Sequence, residues 1–592
     1  MSERRIDADV VVIGGGGAGY RAAIGAREKG ARTVLLSKGP LARCGASPMA
    51  GADFTLDGLS LSRMGFAGAP HDTAAKFFND ILTQGYYLNN QKLIEQYIRN
   101  APARLQELLQ WGLKVIFSEE RAIFTSGLGL MDILLRRSRE VGAEVLEDTM
   151  AIDLLMADGR VNGVLALHVP SGEFLHISTK AVVLATGGWH KAFWPNTGMR
   201  DLSGEGMVMA HRVGALLGNM EFITFCCNVL LSPPVWRGSI ATYILALLCG
   251  GELINSKGEA FLKSYDPFVV EKGTTMEWNK GFLSYATARQ VRDGKGSPNG
   301  GVYLRRGNIP WETYEKTATS TIFPNWKYKA MDLTELARML KENEPIEVGP
   351  AVEYFDGGIV VNERLETGVE GLYAAGECTL GPFGANRVCS AITEMLVHGA
   401  DAGANAAQYA ARVKVERAGV EAYRAMEEEA QRPLERRGGL RPAGVRRRVQ
   451  EMAHRYLGPI RTERELLSFI EFLEGVEKGE IPYLSTVSKG RVYNKEWLDA
   501  LELPRMVHLL KAAALSALAR TESRGVHFRE DYPETDNHYW LQENVVRYEG
   551  GALLVSKRPI TVTSVTPPKG KWPFLEMMKK MMAARSDVGG HH

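Results

Sequence analysis

The order of hydrophobic and polar positions in the first forty residues predicts a strand, a glycine-rich turn, a helix and a second strand. Residues 10–13 form a short β-branched run, which is the composition of a buried strand. Residues 22–29 have a helical composition, and residues 31–36 form the second apolar run. Further on, residues 72–113 follow a helical period and residues 143–184 alternate as strands do. The chain therefore begins as an α/β unit.

Glycines occupy positions 14, 16 and 19 of the turn, with Gly17 and Ala18 between them. The GxGxxG spacing suits a dinucleotide pyrophosphate, because Gly14 permits the tight turn, Gly16 lets the backbone approach the phosphates and Gly19 lets helix pack on strand. The helix N-terminus adds free N–H groups and a positive dipole end. A glycine-rich turn without a ligand is the alternative interpretation.

Two further stretches have small residues that let the backbone lie close against a flat ligand. Residues 41–55 are small and glycine-rich, and a buried strand ends at the Ala-Thr-Gly-Gly of 185–188. Glu205 follows, flanked by glycines and placed before a helix. The candidate cofactor contacts in the two stretches are Cys44, Gly45, Ala46, Ser47, Gly51, Ala185, Thr186 and Gly187.

Composition and charge limit the possible classes of protein. Of the 592 residues, 45% are hydrophobic and 24% are charged, as in soluble globular proteins of several domains. The net charge of +2 gives no global field for nucleic acid. No run reaches the roughly 18 apolar residues of a membrane span. Because the charged start leads into the first strand without an apolar h-region, we expect no secretory signal and a cytoplasmic protein.

The cysteines bear on compartment and on electron transfer. Six cysteines in so long a chain do not form a disulfide framework, which favours a reducing compartment. No CxxC occurs, and no four cysteines share an iron–sulfur spacing. The adjacent Cys226 and Cys227 are either buried small hydrophobes or reactive thiols. If the protein moves single electrons, the clusters that carry them must therefore lie on a separate iron–sulfur subunit.

The end of the second strand argues against a plain NAD site. In NAD-binding units an acidic residue at this place holds the ribose. Here the place is taken by Ser37 and Lys38, which we include among the candidate cofactor contacts.

Several motifs occur in a single order along nearly the whole chain. Together they resemble the flavoprotein subunits of succinate dehydrogenase and fumarate reductase, a framework shared with L-aspartate oxidase and adenylylsulfate reductase. The motifs are GGGGAG at 14–19, LLSKG at 35–39, VLATGG at 183–188, SGEG at 203–206, GLYAAGE at 371–377, GANR at 384–387 and RTESRGVHFREDYPETD at 520–536.

The resemblance implies FAD as the cofactor, with Glu205 and Glu377 as acids that hydrogen-bond to its hydroxyls. It also implies an α/β fold in which a Rossmann-like FAD-binding domain carries an inserted capping domain and is followed by a helical domain. The limits that we expect are 1–232 and 345–415 for the FAD-binding domain, 233–344 for the capping domain, 416–535 for the helical domain and 536–592 for a C-terminal tail.

The sequence departs from this family at the flavin linkage. In many succinate and fumarate enzymes a histidine holds FAD covalently, and the matching position here is Gly45. Covalent attachment at that position is chemically impossible, so we expect noncovalent FAD. In this respect the segment resembles adenylylsulfate reductase.

The substrate motifs also depart from the family. Dicarboxylate members carry a His-Pro-Thr-Gly stretch and a Thr-Glu…Arg-Gly-Glu-Gly-Gly stretch, whereas residues 223–236 and 241–255 are mostly apolar here. By gapless counting, the family's proton-delivering arginine corresponds to Lys280, either a proton donor or an exposed lysine. The second substrate histidine falls near Glu353, which would repel a dicarboxylate and act as a base. Arg387 matches the substrate-binding arginine.

The resemblance thus implies an FAD-dependent oxidoreductase that exchanges hydride at flavin N5 with a small substrate, and electrons with an iron–sulfur subunit. The substitutions predict a substrate that is apolar or has one anionic group, such as an enoate or a carrier-bound acyl group, rather than a C4 dicarboxylate. Adenylylsulfate and a relay subunit without its own substrate are the alternatives. The basic, amphipathic tail at 571–586 predicts either docking on a partner or membrane surface, or a frayed helix.

Overall fold

A computed structural model of the chain describes residues 4–50, 53–240, 251–275, 278–321, 332, 334–387, 390–414 and 418–584. The predicted contact Gly51 lies outside the described residues. The strands are β1 Arg4–Ile13, β2 Thr33–Leu36, β3 Asp53–Thr55, β4 Phe117–Glu119, β5 Ala122–Phe124, β6 Glu144–Leu146, β7 Thr149–Ala157, β8 Arg160–His168, β9 Glu173–Leu184, β10 Leu217–Gly218, β11 Ile223–Leu230, β12 Glu252–Ile254, β13 Val302–Arg305, β14 Ile346–Phe355, β15 Gly358–Ile359, β16 Leu372–Ala374, β17 Ile460–Arg461, β18 Phe528–Arg529, β19 Glu534–Asp536, β20 Gln542–Glu549, β21 Ala552–Pro559 and β22 Lys571–Pro573.

Helices alternate with the strands at first and then dominate the chain after residue 390. They are α1 Gly17–Glu28, α2 Gly58–Arg63, α3 Ala74–Gln84, α4 Gln91–Gln110, α5 Gly127–Glu140, α6 Glu205–Arg212, α7 Pro267–Gly273, α8 Asn279–Arg292, α9 Trp311–Thr321, α10 Thr334–Lys341, α11 Ala391–Ala410, α12 Glu421–Glu435, α13 Pro442–Tyr456, α14 Glu463–Gly479, α15 Lys495–Ala519 and α16 Phe574–Ala584. None of the helices in the described ranges is long and apolar enough to cross a membrane.

The main sheet is built around β1, which lies parallel to β2 on one side and to β9 on the other. The strand order is β6-β2-β1-β9-β8-β7, and β16 adds to β9. Val10, Val11 and Val12 have no exposed surface, because helices cover the faces of the sheet. The carboxyl ends of β1, β2, β9 and β16 consequently meet at one edge, where a ligand can bind.

Helices α1 and α11 pack so closely that only glycine fits at their contact. A Cβ added at Gly403 would lie 1.9 Å from the carbonyl oxygen of Ala22. A Cβ added at Gly25 would lie 2.6 Å from the carbonyl oxygen of Ala400. The small residues of both helices therefore bring a segment near residue 400 against the first forty residues.

A second, antiparallel sheet has the order β11-β14-β13-β12. Helix α8 packs against β11, β13 and β14, and the aromatic side chains of Trp278 and Phe282 are buried there. β11 and β14 belong to the two predicted FAD-binding segments, whereas β12 and β13 belong to the predicted capping domain. The sheet therefore connects the FAD-binding segments to the capping domain. The domain limits themselves stay predictions.

Charged side chains of the 520–536 segment are buried in a network. Arg520 pairs with Glu221 at 2.6 Å and with Glu522 at 2.9 Å, and Arg524 pairs with Glu522 at 2.7 Å. These four side chains have no exposed surface. Arg524 also donates to the carbonyl oxygen of Tyr86 at 2.9 Å. The network thus connects distant parts of the chain.

The predicted elements are largely confirmed, including the mixed α/β fold with its C-terminal helices. Two details are wrong. The first helix begins at residue 17 rather than 22, because the last residues of the glycine turn already have helical geometry. The tail is not frayed over residues 574–584, since these residues form helix α16 and its apolar face is buried against α3 and α7. Docking of the tail on a partner or membrane surface stays a prediction.

Candidate functional site

The glycine turn has the shape that the sequence predicts. A Cβ at Gly14, whose φ is +127°, would lie 2.1 Å from the carbonyl oxygen of Ala185, and one at Gly19 would lie 1.7 Å from that of Gly14. Both glycines therefore permit close packing of strand and helix. A Cβ at Gly16 would meet only the Ser47 hydroxyl, at 3.5 Å. Gly16 thus borders open space, where a ligand can approach the backbone.

The N-terminus of α1 is suited to an anion. Its N-cap is Gly16, which has no capping side chain, and its first turn has no acidic residue. By contrast, the side chains of Thr73 and Ser126 cap α3 and α5. The Gly17 amide donates to the Ser47 hydroxyl at 3.1 Å. Free amides and the helix dipole together favour a phosphate at this end of the helix.

Lys38 belongs to a buried cluster of charges at the end of β2. Its ammonium pairs with the Glu205 carboxylate and, at 2.6 Å, with Glu502. It also donates to the Ser203 hydroxyl at 2.7 Å. Burial alone would lower the pKa of Lys38, but the two carboxylates outweigh it and hold the pKa above its usual value. The lysine therefore stays charged and fixes the Glu205 carboxylate at the edge of the sheet.

The sequence did not indicate Glu502, which comes from α15, nor Lys191, which also pairs with it. Burial would raise the pKa of Glu502, but the two lysines hold that pKa well below its usual range. No local motif marks this contact, since it joins segments that are far apart in the chain.

The segment from Cys44 to Ser47 lies against the glycine turn. Gly45 has a φ of +72°, and its amide donates to the Asp201 carboxylate at 2.7 Å. A Cβ there would approach nothing closer than the Cα of Gly16, at 4.0 Å. Cys44 is buried with its sulfur 3.2 Å from the Ser37 hydroxyl, and burial raises the pKa of its thiol. Ala46 is the N-cap of a short 3-10 turn that carries Ser47.

The end of β9 forms the opposite side of the site. The Ala185 amide continues the sheet by donating to the carbonyl oxygen of Ile13 at 2.8 Å. Gly187 and Thr186 follow, and the Glu377 carboxylate lies beside them, 3.6 Å from the His190 Nε2. Burial raises the pKa of Glu377, partly offset by His190 and Arg387.

The residues at this edge fit FAD. An uncapped helix N-terminus and the open side of Gly16 provide for a pyrophosphate. The carboxylates of the buried Glu205 and of Glu377, whose side chain is 12% exposed, provide hydrogen-bond acceptors for hydroxyl groups.

The three predicted catalytic residues lie together, although they come from α8, from β14 and from the loop before α11. The Lys280 ammonium lies 2.8 Å from the Glu353 carboxylate, and the Lys280 side chain is only 11% exposed. The alternative that Lys280 is an exposed lysine is therefore wrong. The Arg387 guanidinium carbon lies 4.5 Å from the centre of the Tyr354 ring. Burial would lower the pKa of Arg387, but Glu353, Tyr354 and Asp356 hold it above its usual value.

Asp356 is a functional candidate that sequence reasoning missed. It is buried, and the Thr224 hydroxyl donates to its Oδ2 at 2.7 Å. Its Oδ1 has no hydrogen-bond partner among the described residues. Burial raises its pKa to about 7, opposed by Thr224, Arg387 and Lys280 and assisted by Glu377. The only local signal was its place two residues beyond Tyr354, next to the stretch that supplies Glu353.

His190 was also missed. Its Nε2 lies 2.7 Å from the carbonyl oxygen of Glu353, to which it donates a hydrogen. Its Nδ1 has no partner within the described residues. The ring is fixed edge-on to Phe355, with centroids 5.0 Å apart. His190 thus connects the segment after β9 to β14.

The cysteine pair on β11 is structural in character. Cys226 and Cys227 are both buried, and burial raises the pKa of each thiol, with the Glu353 carboxylate adding to the effect. The Cys227 sulfur lies 3.8 Å from the amide oxygen of Asn279, next to Lys280. Because a neutral thiol is a weak nucleophile, the interpretation as buried small hydrophobes is favoured. Over the described ranges, no cluster of three or more His, Cys, Asp or Glu residues could hold a metal ion.

The fold and the dinucleotide site define an FAD-dependent oxidoreductase, and comparison with known proteins agrees. The model of the FAD-binding domain matches residues 9–122 and 118–392, and that of the fumarate reductase flavoprotein C-terminus matches residues 446–572. The chain belongs to the family of fumarate reductase and succinate dehydrogenase flavoprotein subunits. The second match ends just before α16.

Two relatives illustrate the similarity. A fumarate reductase (CoM/CoB) subunit from Methanothermobacter marburgensis is 28% identical over 90% of this chain and 96% of its own length. The fumarate reductase flavoprotein subunit of Mycobacterium tuberculosis is 29% identical over 95% of this chain and 98% of its own length.

Solved structures agree over the same span. Sdh1 of Mycobacterium smegmatis has a TM-score of 0.83 at 28% identity, covering 95% of this chain and 96% of its own. A variant of FrdA from E. coli quinol fumarate reductase has a TM-score of 0.82 at 25% identity, covering 96% of this chain and 99% of its own. Adenylylsulfate reductase from Archaeoglobus fulgidus shares the fold, with a TM-score of 0.74 at 19% identity, covering 95% of this chain and 98% of its own.

We expect Gly16→Val to abolish flavin binding without unfolding the protein. The added side chain would meet only Ser47 in the protein but would occupy the space for the pyrophosphate. The measurement is flavin absorbance and far-ultraviolet circular dichroism of the purified variant.

Acid precipitation of the unmodified protein should also release all flavin into the supernatant, because Gly45 has no side chain to attach it. Flavin that stays with the pellet, or a yellow Gly16→Val protein, would contradict this account.

We expect Asp356→Asn to change the pH dependence of stability and of anion binding. The pKa of about 7 lies above the unfolded value, so the stability contributed by the neutral carboxyl is lost as pH rises through about 7. Ionised Asp356 would also weaken an anion held by Arg387. The loss is spread between the unfolded value of 3.8 and about 7, so the variant should unfold at a higher temperature than the unmodified protein at about pH 8 and by a smaller margin at about pH 5.5.

Crotonate, titrated by its perturbation of flavin absorbance, should lose affinity between these pH values in the unmodified protein but not in Asp356→Asn. Asp293→Asn, which changes a carboxylate that is 43% exposed, serves as the control and should behave as the unmodified protein. Parallel pH curves for all three proteins would show that Asp356 does not titrate in this range.

Proposed function

We propose that this chain is the flavin-carrying subunit of an oxidoreductase complex that acts on a small organic substrate with a single anionic group. The observation that carries the proposal is the meeting of Lys280, Glu353 and Arg387 at one place, close to the carboxylate of Glu377. When bound, FAD supplies hydride transfer at its N5 position and couples it to electron transfer.

The charges around Arg387 argue against a C4 dicarboxylate. Lys280 is already paired with Glu353, and Arg387 experiences the charges of Glu353 and Asp356. A dicarboxylate would bring two further negative charges to a site where each cation already has a carboxylate nearby. A substrate with one anionic group, such as an enoate or an acyl group on a carrier, leaves fewer charges unbalanced.

Arg387 is placed to anchor that anionic group. Its guanidinium lies over the Tyr354 ring, which fixes the plane of the group. A planar guanidinium pairs with a carboxylate or phosphate through two parallel hydrogen bonds. The side chain thereby sets both the position and the orientation of the substrate.

Lys280 is placed to deliver a proton. Its ammonium is held by the Glu353 carboxylate at 2.8 Å, in a part of the site that is largely shielded from solvent. When the substrate is reduced, Lys280 Nζ gives a proton to the substrate carbon. Before this transfer, the Glu353 carboxylate stabilises the charged ammonium of Lys280. In the reverse direction the same atom receives the proton.

We expect Lys280→Met to lower kcat by about 10² or more, in line with usual contributions of general acids. Lys295→Met is the control, because Lys295 follows the same helix but pairs with Glu259 on the surface. Arg387→Met should weaken both binding and turnover. Steady-state kinetics and flavin content decide the matter.

Full activity in the lysine variant would remove Lys280 from the mechanism. Loss of flavin in the arginine variant would identify Arg387 as a structural clamp on FAD.

A separate iron–sulfur subunit completes the proposal. Single electrons need a carrier, and the described part of the chain offers no group of residues that could hold a metal. The chain's relatives are named as subunits, which supports a complex. The complex would work in the cytoplasm, with any contact to the inner face of the membrane supplied by a partner.

An anaerobic experiment tests the proposed function. The purified flavoprotein is reduced without oxygen and mixed with fumarate, crotonate, an enoyl thioester or adenylylsulfate. We expect crotonate or the thioester to reoxidise the flavin. In a separate experiment, purification of the protein from its native source should also yield a cysteine-rich, ferredoxin-like partner.

Fast reoxidation by fumarate would contradict the charge argument, and reoxidation by adenylylsulfate alone would assign the protein to that reaction. If none of the four compounds reoxidises the flavin but electrons pass rapidly to an iron–sulfur protein, the chain would be a relay subunit without a substrate of its own. Turnover by a monomer with nicotinamide alone would exclude the complex.

A further inference from the structure

The C-terminal helix α16 is amphipathic, and its apolar face is buried within the protein. It packs against α3, α7 and the β19-β22 pair. Its side chains join the same apolar cluster as those of α3, α7 and α8. The buried residues are Phe574, Met577, Met578, Met581 and Met582.

Helix α16 touches α8 next to Lys280. A Cβ added at Gly281, the residue after Lys280, would lie 3.6 Å from the terminal methyl group of Met578. The Met578 side chain itself has no exposed surface. The Phe574 ring packs on Tyr285, one turn further along α8, with centroids 5.4 Å apart. Two side chains of α16 thus support the first half of α8.

The second half of α8 is held in a different way. Arg292 pairs with Glu465 at 2.6 Å and with Glu530 at 2.9 Å, and it donates to the carbonyl oxygen of Ile460 at 3.0 Å. Arg289 also pairs with Glu530. These ion pairs fix the end of α8 that lies away from Lys280.

The first turn of α8 has polar contacts of a different kind, since the backbone amide and the side-chain amide of Asn279 donate to the carbonyl oxygen of Thr275 at 3.0 Å and 2.7 Å. Its N-cap is Trp278, which makes no side-chain capping hydrogen bond. The Trp278 ring is instead held edge-on by Tyr86, with centroids 6.2 Å apart. Apolar packing therefore adds to these hydrogen bonds in positioning the turn, and α16 supplies part of that packing.

One ion pair joins α16 to α7. The Lys579 ammonium lies 2.7 Å from the carboxylate of Asp266, which caps α7. Both side chains face solvent in part, with exposed fractions of 40% and 41%. A pair so exposed contributes little to stability, so the methionines are the main contact.

We propose that α16 is a strap that positions Lys280, by pressing Met578 and Phe574 against the first half of α8. The importance of Lys280 for turnover rests on the proposed function, whereas the strap itself does not. Without the strap, the first turn of α8 would move relative to β14, and the pairing of Lys280 with Glu353 would loosen.

The test compares Met578→Lys with two matched variants in the full-length, FAD-loaded protein. Met578→Leu keeps an apolar side chain of similar volume, and Ala583→Lys adds the same charge to an exposed position of the same helix. Met578→Ala, which only removes volume, replaces Met578→Lys if that protein does not fold.

Two measurements are independent of any substrate. Hydrogen exchange reports on the amides of residues 279–287, and reductive methylation with formaldehyde, followed by mass spectrometry, reports on the accessibility of Lys280. Lys263, which is 83% exposed, is the internal reference for methylation. We expect Met578→Lys to accelerate both by about tenfold, with Met578→Leu and Ala583→Lys unchanged.

The outcomes separate the strap from the proposed reaction. If α16 exchanges freely in Met578→Lys while α8 and Lys280 stay protected, the strap is disproved. If Lys280 becomes accessible and kcat falls while KM and flavin content are maintained, with recovery in Met578→Leu, the positioning role is supported. If Lys280 becomes accessible but neither this variant nor Lys280→Met loses turnover, the strap stands and the proton-donor assignment fails.

Discussion

The buried network of Arg520, Glu221, Glu522 and Arg524 is the constraint on which the rest of the structure depends. Its side chains are removed from water and paired with one another, and the two arginines also donate to the backbone carbonyl oxygens of Gln542 and Tyr86. Removing one partner from such a network leaves a buried charge uncompensated, which typically costs about 3–5 kcal/mol. The arrangement therefore tolerates few alternatives, and the segments that carry these residues must come together in one way.

That constraint extends to the candidate site through neighbouring backbone. Glu221 precedes β11, which pairs with the strand that carries Glu353. Arg524 holds the carbonyl oxygen of Tyr86, and the carbonyl oxygen of Gly85 accepts from the amide of Ala385, two residues before Arg387. The positions of Glu353 and Arg387 thus depend on a network that lies outside the candidate site.

The sequence was most informative where a function depends on local geometry. The turn at Gly14–Gly19 was predicted correctly because strand, turn and helix are consecutive, and their spacing is sufficient to indicate a phosphate site. Lys280 and Glu353 were found by position within motifs, and the structure places them 2.8 Å apart. Their pairing could not be predicted, since it depends on how α8 packs on β14.

Sequence reasoning missed the contacts of residues whose neighbours lie far away in the sequence. Asp356 resembles any loop carboxylate until Thr224 and Arg387 are seen beside it. Lys38 was noted as an argument against NAD and as a candidate cofactor contact, but its pairing with Glu502 was not foreseen, because Glu502 is 464 positions further along the chain. The frayed-helix alternative for the tail was wrong for the same reason, because the sequence of an apolar helix face does not indicate which surface covers it.

The close contact between α1 and α11 has a consequence for how the protein is made. The face of α1 that bears Gly25 is covered only when residues near Ala400 have been synthesised, and β9 gains β16 as a neighbour only after residue 372. The growing chain therefore leaves the ribosome with an unfinished cofactor cradle and an unpaired strand edge over hundreds of residues. Such contacts of long sequence separation form slowly and expose apolar surface meanwhile. Completion of the cofactor cradle accordingly waits until the residues near 400, in the later-made part of the predicted cofactor domain, have been synthesised.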